Sequence, residues 1–155
     1  MGKDVYPLSL KISVTHQQWA WLWILLSYLV LMEVGGGVIL PPPDPNFSCS
    51  MQEKIELNHG SISLEEVRGH RVSENVNIQC TGKGSVRLSF DLSKINLEPK
   101  GLLISSLYLN GSSGGLNLVV DKSENVSVES QLNIIDGASV NGEFIGNAVL
   151  IMTVL

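Results

Sequence analysis

The sequence of 155 residues predicts an all-β fold of the sandwich class. Three observations predict it: short segments in which apolar and polar residues alternate, turn residues at intervals of about ten residues, and no helical periodicity of any length. The composition agrees, because only 16% of the residues are charged, below the usual share of about a quarter. A surface rich in neutral Ser, Asn and Gly suits an extracellular β-protein.

The predicted strands follow one another from residue 54 to the last residue. The segments with strand alternation are KIELNHGSISL (54–64), VNIQC (76–80), SVRLSFDL (85–92), LLISSLYLN (102–110), LNLVV (116–120), NVSVESQLNII (125–135) and GEFIGNAVLIMTVL (142–155). The expected turns or breaks are Asn58–Gly60, TGKG (81–84), LEPKG (97–101), GSSGG (111–115) and DGASVNG (136–142). Gly, Asn, Asp and Pro dominate these intervals, as they do in turns of known type.

The last segment has the strongest alternation. It begins at Gly142, ends at Leu155, and its even positions are Phe144, Gly146, Ala148, Leu150, Met152 and Val154. The odd positions mix polar residues with apolar ones, so the segment is a strand with one strongly apolar face. We expect another segment to cover this strand, because uncovered apolar strands aggregate.

Residues 1–46 differ in composition from residues 47–155, and we place a domain boundary between them. The run Trp19–Met32 is almost continuously apolar, and PPPDP at 41–45 is a stiff stretch without helix or central-strand capacity. Three interpretations of the N-terminal segment stay open: a signal peptide, a membrane anchor that reaches Leu40, or the remnant of a truncated β-domain. The alternation of YPLSLKISVT (Tyr6–Thr15) is typical of a strand and favours the third.

The two cysteines, Cys49 and Cys80, are best explained as one disulfide that closes a loop of about thirty residues. Such a bond stabilises by roughly 3 to 4 kcal/mol and requires an oxidising compartment. Two buried free thiols are the alternative. His59 and His70 lie between the cysteines, but not at a spacing typical of zinc sites, and we expect both in solvated loops or at strand ends.

The sequence offers little sign of a catalytic or cofactor-binding site. It contains no GxSxG, HExxH or P-loop motif, so we expect no enzyme activity, cofactor or metal. The net charge of −5 makes nucleic acid an unexpected partner.

The segment Phe47–Leu155 resembles the pilin domains of the bacterial chaperone–usher pathway. Two stretches carry the resemblance: FSCSMQEKIELNHGSISLEEVRGHRVSENVNIQC (47–80), with its two cysteines and central HG, and the terminal GEFIGNAVLIMTVL. Gly142 stands fourteen residues from the end, where that family commonly has a glycine. Val154 departs from the family, which usually has an aromatic residue at that position.

The resemblance implies an incomplete immunoglobulin-like sandwich that lacks its last strand. It also implies that the terminal segment borders a groove into which another chain inserts a strand, first a periplasmic chaperone and then an adjacent pilus subunit delivered through an outer-membrane usher. The interface residues it implies are Gly142, Phe144, Gly146, Ala148, Leu150, Met152, Val154 and Leu155.

The residues before Cys49 indicate which kind of pilin the chain resembles. GGGVILPPPDPNFS (35–48) is a poor donor strand and a good interdomain linker. The chain is therefore most similar to the C-terminal pilin domain of a tip adhesin, which reaches a pilus on the cell surface by way of the periplasm. A host glycan is an implied partner only if a receptor-binding domain is present. The alternative is a membrane-anchored or secreted immunoglobulin-like binding module with a complete sandwich.

Overall fold

The computed structural model describes residues 6–17, 46–98, 102–136 and 142–155, and along residues 6–17 it describes the backbone and, of the side chains, only Lys11. The predicted all-β class is confirmed. In chain order the elements are β1 (Tyr6–Gln17), β2 (Cys49–Ser50), β3 (Lys54–Ile62), α1 (Leu64–Val67), β4 (Arg71–Phe90), β5 (Lys94–Leu97), β6 (Leu103–Leu109), β7 (Leu116–Ile134) and β8 (Phe144–Val154). The apolar run Trp19–Met32 and the proline-rich stretch lie outside the described residues. Within the described part, no helix has the length and apolar character needed to cross a membrane.

The strands form one open sheet in the order β3-β1-β8-β4-β7-β6-β5, and β2 pairs with β4 beside this path. The pair β4–β7 is its centre, because these strands are 20 and 19 residues long and pair along most of their length. Of β4, only the end at Val86–Phe90 pairs with β8. Of β7, only the second part pairs with β6. The two ends of the β4–β7 pair therefore belong to different halves of the fold.

An irregularity separates these halves. The β4–β7 register shifts between Gln79 and Lys83, and such bulges bend strands that pass from one sheet of a sandwich to the other. A single bridge then ties the two halves together at the far end, where Glu98 and Ile145 each donate a backbone N–H to the other's carbonyl at 2.9 Å.

The core lies between the halves and receives alternate residues from each of the strands β3 to β8. Its largest fully buried side chains are Phe144, Ile55, Leu57, Ile78, Leu88, Leu97, Leu103, Leu107 and Leu109. At its margin, the disulfide between Cys49 and Cys80 joins β2 to β4, which confirms the predicted pairing. Gly84 is required there for packing, because a Cβ at this position would overlap the ring of Phe47.

Two predicted turns are wrong. Asn58–Gly60 lies inside the continuous strand β3, and TGKG (81–84) lies inside β4. LNLVV and NVSVESQLNII likewise belong to one strand, β7. The physical reason is that the residues favoured in turns are also those favoured in bulges, which bend a strand without ending it.

The short helix α1 and the strand β5 were not predicted. Ser63 precedes α1, and both its backbone N–H and its hydroxyl donate to Oε2 of Glu66, at 3.3 and 2.7 Å. This Ser-x-x-Glu pattern is the signature of a helix start.

Candidate functional site between strands β3 and β8

The terminal strand β8 has the burial pattern that its alternation predicts. Phe144, Gly146, Ala148, Leu150 and Met152 are buried, and Val154 is half-buried. The outward-facing Ile145 is 42% exposed. Gly142 and Leu155 flank the strand and are exposed; Gly142 has a φ of +108°, a conformation that side chains other than that of glycine rarely adopt.

β8 lies between β4 and β1 in the sheet, and β1 is distant from it in sequence. β1 runs parallel to β8, with Leu8–Gln17 opposite Phe144–Thr153, and antiparallel to β3, with Tyr6–Ser13 opposite Ile62–Lys54. The strand predicted from YPLSLKISVT is therefore present, and it pairs with both β3 and β8. A segment of the same chain occupies the position where the resemblance implies a missing strand.

The register places large residues of β1 opposite small ones of β8. Leu10 pairs with Gly146, and Ile12 pairs with Ala148. On the other side of β1, the same two residues are opposite Leu57 and Ile55 of β3, which are 0% and 1% exposed. The edges of β3 and β8 thus offer an apolar face with room at its centre for two branched side chains.

Charge also matches on the outer face. Lys11 is the only residue of β1 that is Lys, Arg, Asp or Glu, and the register places it opposite Glu56 of β3. Lys54 donates to Glu56 at 2.7 Å. The hydrogen bond and charge of Lys54 lower the pKa of Glu56, desolvation opposes them, and the charge of Lys11 makes the smallest contribution, which also lowers the pKa. A carboxylate on β3 therefore faces the one cation of the inserted strand.

A bulge shapes the β3 edge where β1 enters. The β1–β3 register shifts between Leu8 and Ser9, so that His59 is the extra residue on β3. Gly60 follows with a φ of +70°, and its N–H donates to Oδ1 of Asn58 at 2.8 Å. A glycine in a left-handed conformation is the usual partner of such a bulge.

His59, the extra residue at the bulge, lies in the core, where it is only 5% exposed. Its Nε2 lies 2.8 Å from Oγ of Ser130, which lies 2.6 Å from Oγ of Ser105. Its Nδ1 lies 3.0 Å from Nδ1 of the half-buried His70. The predicted solvated position of His59 is wrong; the alternation Ile55, Leu57, His59 already placed this residue on the buried face.

The surroundings of His59 hold it neutral. Burial, and then repulsion from His70, lower the pKa of His59 to about 4. A contact between two Nδ1 atoms needs one proton and one lone pair, so it is lost when both rings are fully protonated. The chain of contacts from Ser105 to His70 therefore links β6, β7, β3 and the residue before β4.

The site as a whole is suited to strand pairing. In the described ranges, no three His, Cys, Asp or Glu residues lie close enough together to hold a metal ion. Every buried side-chain N or O atom in the same ranges has a hydrogen-bond partner. The main-chain edges of β3 and β8 that face each other are both paired with β1.

Comparison with known families identifies a fimbrial domain. The model of the Fimbrial adhesin MrpH C-terminal domain matches residues 49–155, which include β2 to β8 but not β1. No curated protein matches the chain.

Proposed function

Because this chain belongs to the Fimbrial adhesin MrpH C-terminal domain family, we propose that residues 49–155 attach an adhesin to its pilus by accepting a strand of a neighbouring subunit between β3 and β8. Family membership already makes the chain a fimbrial adhesin component, a structural kind of protein found on a surface pilus together with other pilus subunits. The proposal adds the mode of attachment and the residues that carry it.

One observation carries the proposal. The family match begins at Cys49, and the strand that lies between β3 and β8 in the described part of the chain is β1, which is outside the match. Without β1, the domain leaves two main-chain edges unpaired and the apolar face of Ile55, Leu57 and Phe144 uncovered. A strand from another chain satisfies both needs at once.

The magnitude is sufficient for a stable attachment. Four apolar side chains at the register positions of Leu8, Leu10, Ile12 and Val14 contribute roughly 6 to 12 kcal/mol in gross burial. Main-chain hydrogen bonds add to this, while the ordering of the strand and the loss of translational freedom oppose it. The interface residues are those opposite β1 along β8, from Phe144 to Met152, with Val154 and Leu155 beyond them and Gly142 before them.

The same site suits an earlier partner. We propose that a periplasmic chaperone first supplies the strand and that an outer-membrane usher then exchanges it for that of the adjacent subunit. The disulfide Cys49–Cys80 supports a route through an oxidising compartment such as the periplasm. Adhesion to a host glycan would reside in a receptor-binding domain outside residues 49–155.

A second candidate is a complete immunoglobulin-like binding module. The pairing of β1 within the sheet favours it, because a sandwich filled by its own chain needs no partner strand. The two candidates differ in what residues 46–155 do without β1.

The test uses residues 46–155 alone and fused after Leu155, through a flexible linker, to the N-terminal extensions of pilus subunits from the same organism. Alone, we expect aggregation or proteolysis; with a suitable extension, we expect a monomer that unfolds cooperatively. The matched control carries Asp at the two central apolar positions of the extension and should behave like residues 46–155 alone. A stable monomer without any extension would contradict the proposal and favour the complete module.

A further inference from the structure

The segment Tyr6–Gln17 matches its position in three independent respects. Its apolar residues fall in phase with the buried residues of β8, and Leu10 and Ile12 fall opposite the small residues Gly146 and Ala148. Its cation falls opposite Glu56. Ten of its twelve residues, Leu8–Gln17, pair with ten of the eleven residues of β8. Nevertheless, it lies outside the part of the chain that the family match covers.

We propose that Tyr6–Gln17 is a built-in strand that fills the acceptor site of its own domain and has to leave before a neighbouring subunit's strand can enter. The occupation of the site by Tyr6–Gln17 does not depend on how the domain attaches to a pilus. The displacement step rests on the proposed function.

The covalent connection permits occupation within one chain. The 28 residues between Gln17 and Asn46 can span up to about 90 Å when extended. A tethered strand has an effective concentration in the millimolar range. A free strand of equal intrinsic affinity, present at micromolar concentration, therefore loses the competition.

The orientation of β1 bears on which strands could displace it from its position between β3 and β8. Because β1 is antiparallel to β3 and parallel to β8, its longer ladder, the one with β8, is the parallel one. Parallel pairing is slightly less stable per residue than antiparallel pairing. A strand that enters in the opposite direction gains an antiparallel ladder along β8 but becomes parallel to β3. The two changes largely offset each other, so a displacing strand needs greater length or better-fitting side chains.

Engineered cysteines in the full chain test the occupation. Ser9 is opposite Ile145, and Thr15 is opposite Ile151, so the pairs Ser9→Cys with Ile145→Cys and Thr15→Cys with Ile151→Cys should each form a disulfide. The exchanged pairs, Ser9→Cys with Ile151→Cys and Thr15→Cys with Ile145→Cys, should not, because they form only if β1 is reversed. Peptide mapping by mass spectrometry identifies the bonds.

Isotope labelling then separates occupation within a chain from exchange between copies. When ¹⁵N-labelled and unlabelled chains are refolded together, the proposal expects cross-linked peptides that are either fully labelled or fully unlabelled. Mixed peptides would overturn it in favour of strand exchange between two copies. The absence of cross-links at the parallel pairs would overturn it as well.

A binding experiment tests whether the built-in strand blocks the site. The probe is the fluorescein-labelled peptide YPLSLKISVTHQ, which has the sequence of β1. Leu10→Asp with Ile12→Asp in the full chain should raise probe binding at least tenfold, whereas the control Ser9→Asp with Ser13→Asp should leave it unchanged. Equal binding to both variants would overturn the inference.

The two proposals fail separately. If cross-links form within one chain but no subunit extension rescues residues 46–155, the built-in strand stands and the proposed attachment fails. If an extension rescues those residues but the cross-links do not form, the attachment stands and the built-in strand fails.

Discussion

His59 makes the stability of this domain depend on pH, and replacing it by glutamine tests the reasoning. His59 is 5% exposed at the bulge of β3, and its ring nitrogens lie within hydrogen-bonding distance of Ser130 and His70. Burial first, and repulsion from His70 second, lower its pKa from 6.5 to about 4. In the unfolded chain His59 is solvated and keeps its ordinary pKa.

The sign follows from proton linkage. Below about pH 6.5 the unfolded state binds a proton at His59, whereas the folded state binds it only below about pH 4. The free energy of unfolding therefore falls as the pH falls through this window, and the contribution of His59 is fully present above it. Each pH unit between the two pKa values is worth about 1.4 kcal/mol, so the contribution reaches at most about 3 kcal/mol.

The assay is urea denaturation of the full chain, followed by far-ultraviolet circular dichroism at several pH values between about 4 and 7.5. Carboxylates also titrate in this range, so the informative quantity is the difference between the wild type and His59→Gln. The wild type should lose up to about 3 kcal/mol more than the variant across this range. His70→Gln should remove the smaller part of the dependence, because repulsion from His70 is the second cause of the lowered pKa of His59, after burial. Equal pH dependence of the wild type and His59→Gln would refute the reasoning, whatever their absolute stabilities.

Three further predictions concern stability of the full chain in urea. Phe144→Ala should lower the free energy of unfolding by about 3 to 5 kcal/mol because Phe144 is 0% exposed; Ile145→Ala, at a position 42% exposed, should cost less than about 1 kcal/mol, and equal losses would contradict the burial pattern. Replacing Cys49 and Cys80 together by serine should cost about 3 to 4 kcal/mol, and a wild type indifferent to reductant would contradict the disulfide. Gly60→Ala should cost about 1 to 2 kcal/mol because its φ is +70°; an unchanged urea midpoint would show that the bulge tolerates a side chain.

The sequence predicted the strands of this domain better than their ends. The phase of β8 could be predicted because the alternation from Phe144 to Met152 extends over four repeats of period two, which no helix imitates. The extents of β3 and β4 could not, because Asn58–Gly60 and TGKG (81–84) carry residues that serve turns and bulges equally well. Only pairing with a neighbouring strand decides between the two, and a neighbour is not a local property of the sequence.

The polar network could have been found in part. His59 continues the buried alternation of Ile55 and Leu57, so its burial was implicit in the pattern. Its partners were not, because Ser130 lies 71 residues away in sequence and is one of many serines on predicted strands. Single-sequence patterns report which face a residue occupies, and they leave open which residue of another strand it meets.

The same limit explains why the occupant of the site between β3 and β8 could not be predicted. The alternation of β8 demands an apolar strand beside it, and the segments Tyr6–Gln17 and a subunit extension satisfy that demand through the same main-chain bonds. Specificity therefore has to come from side-chain size at Gly146 and Ala148, and from connectivity. A tether favours the chain's own strand when free strands are present at low concentration, and a competing strand needs greater length or better-fitting side chains to displace it. With β1 in place, both edges of the site are paired before assembly. The proposed displacement of β1 would then leave the edges of β3 and β8 free to pair with a subunit's strand.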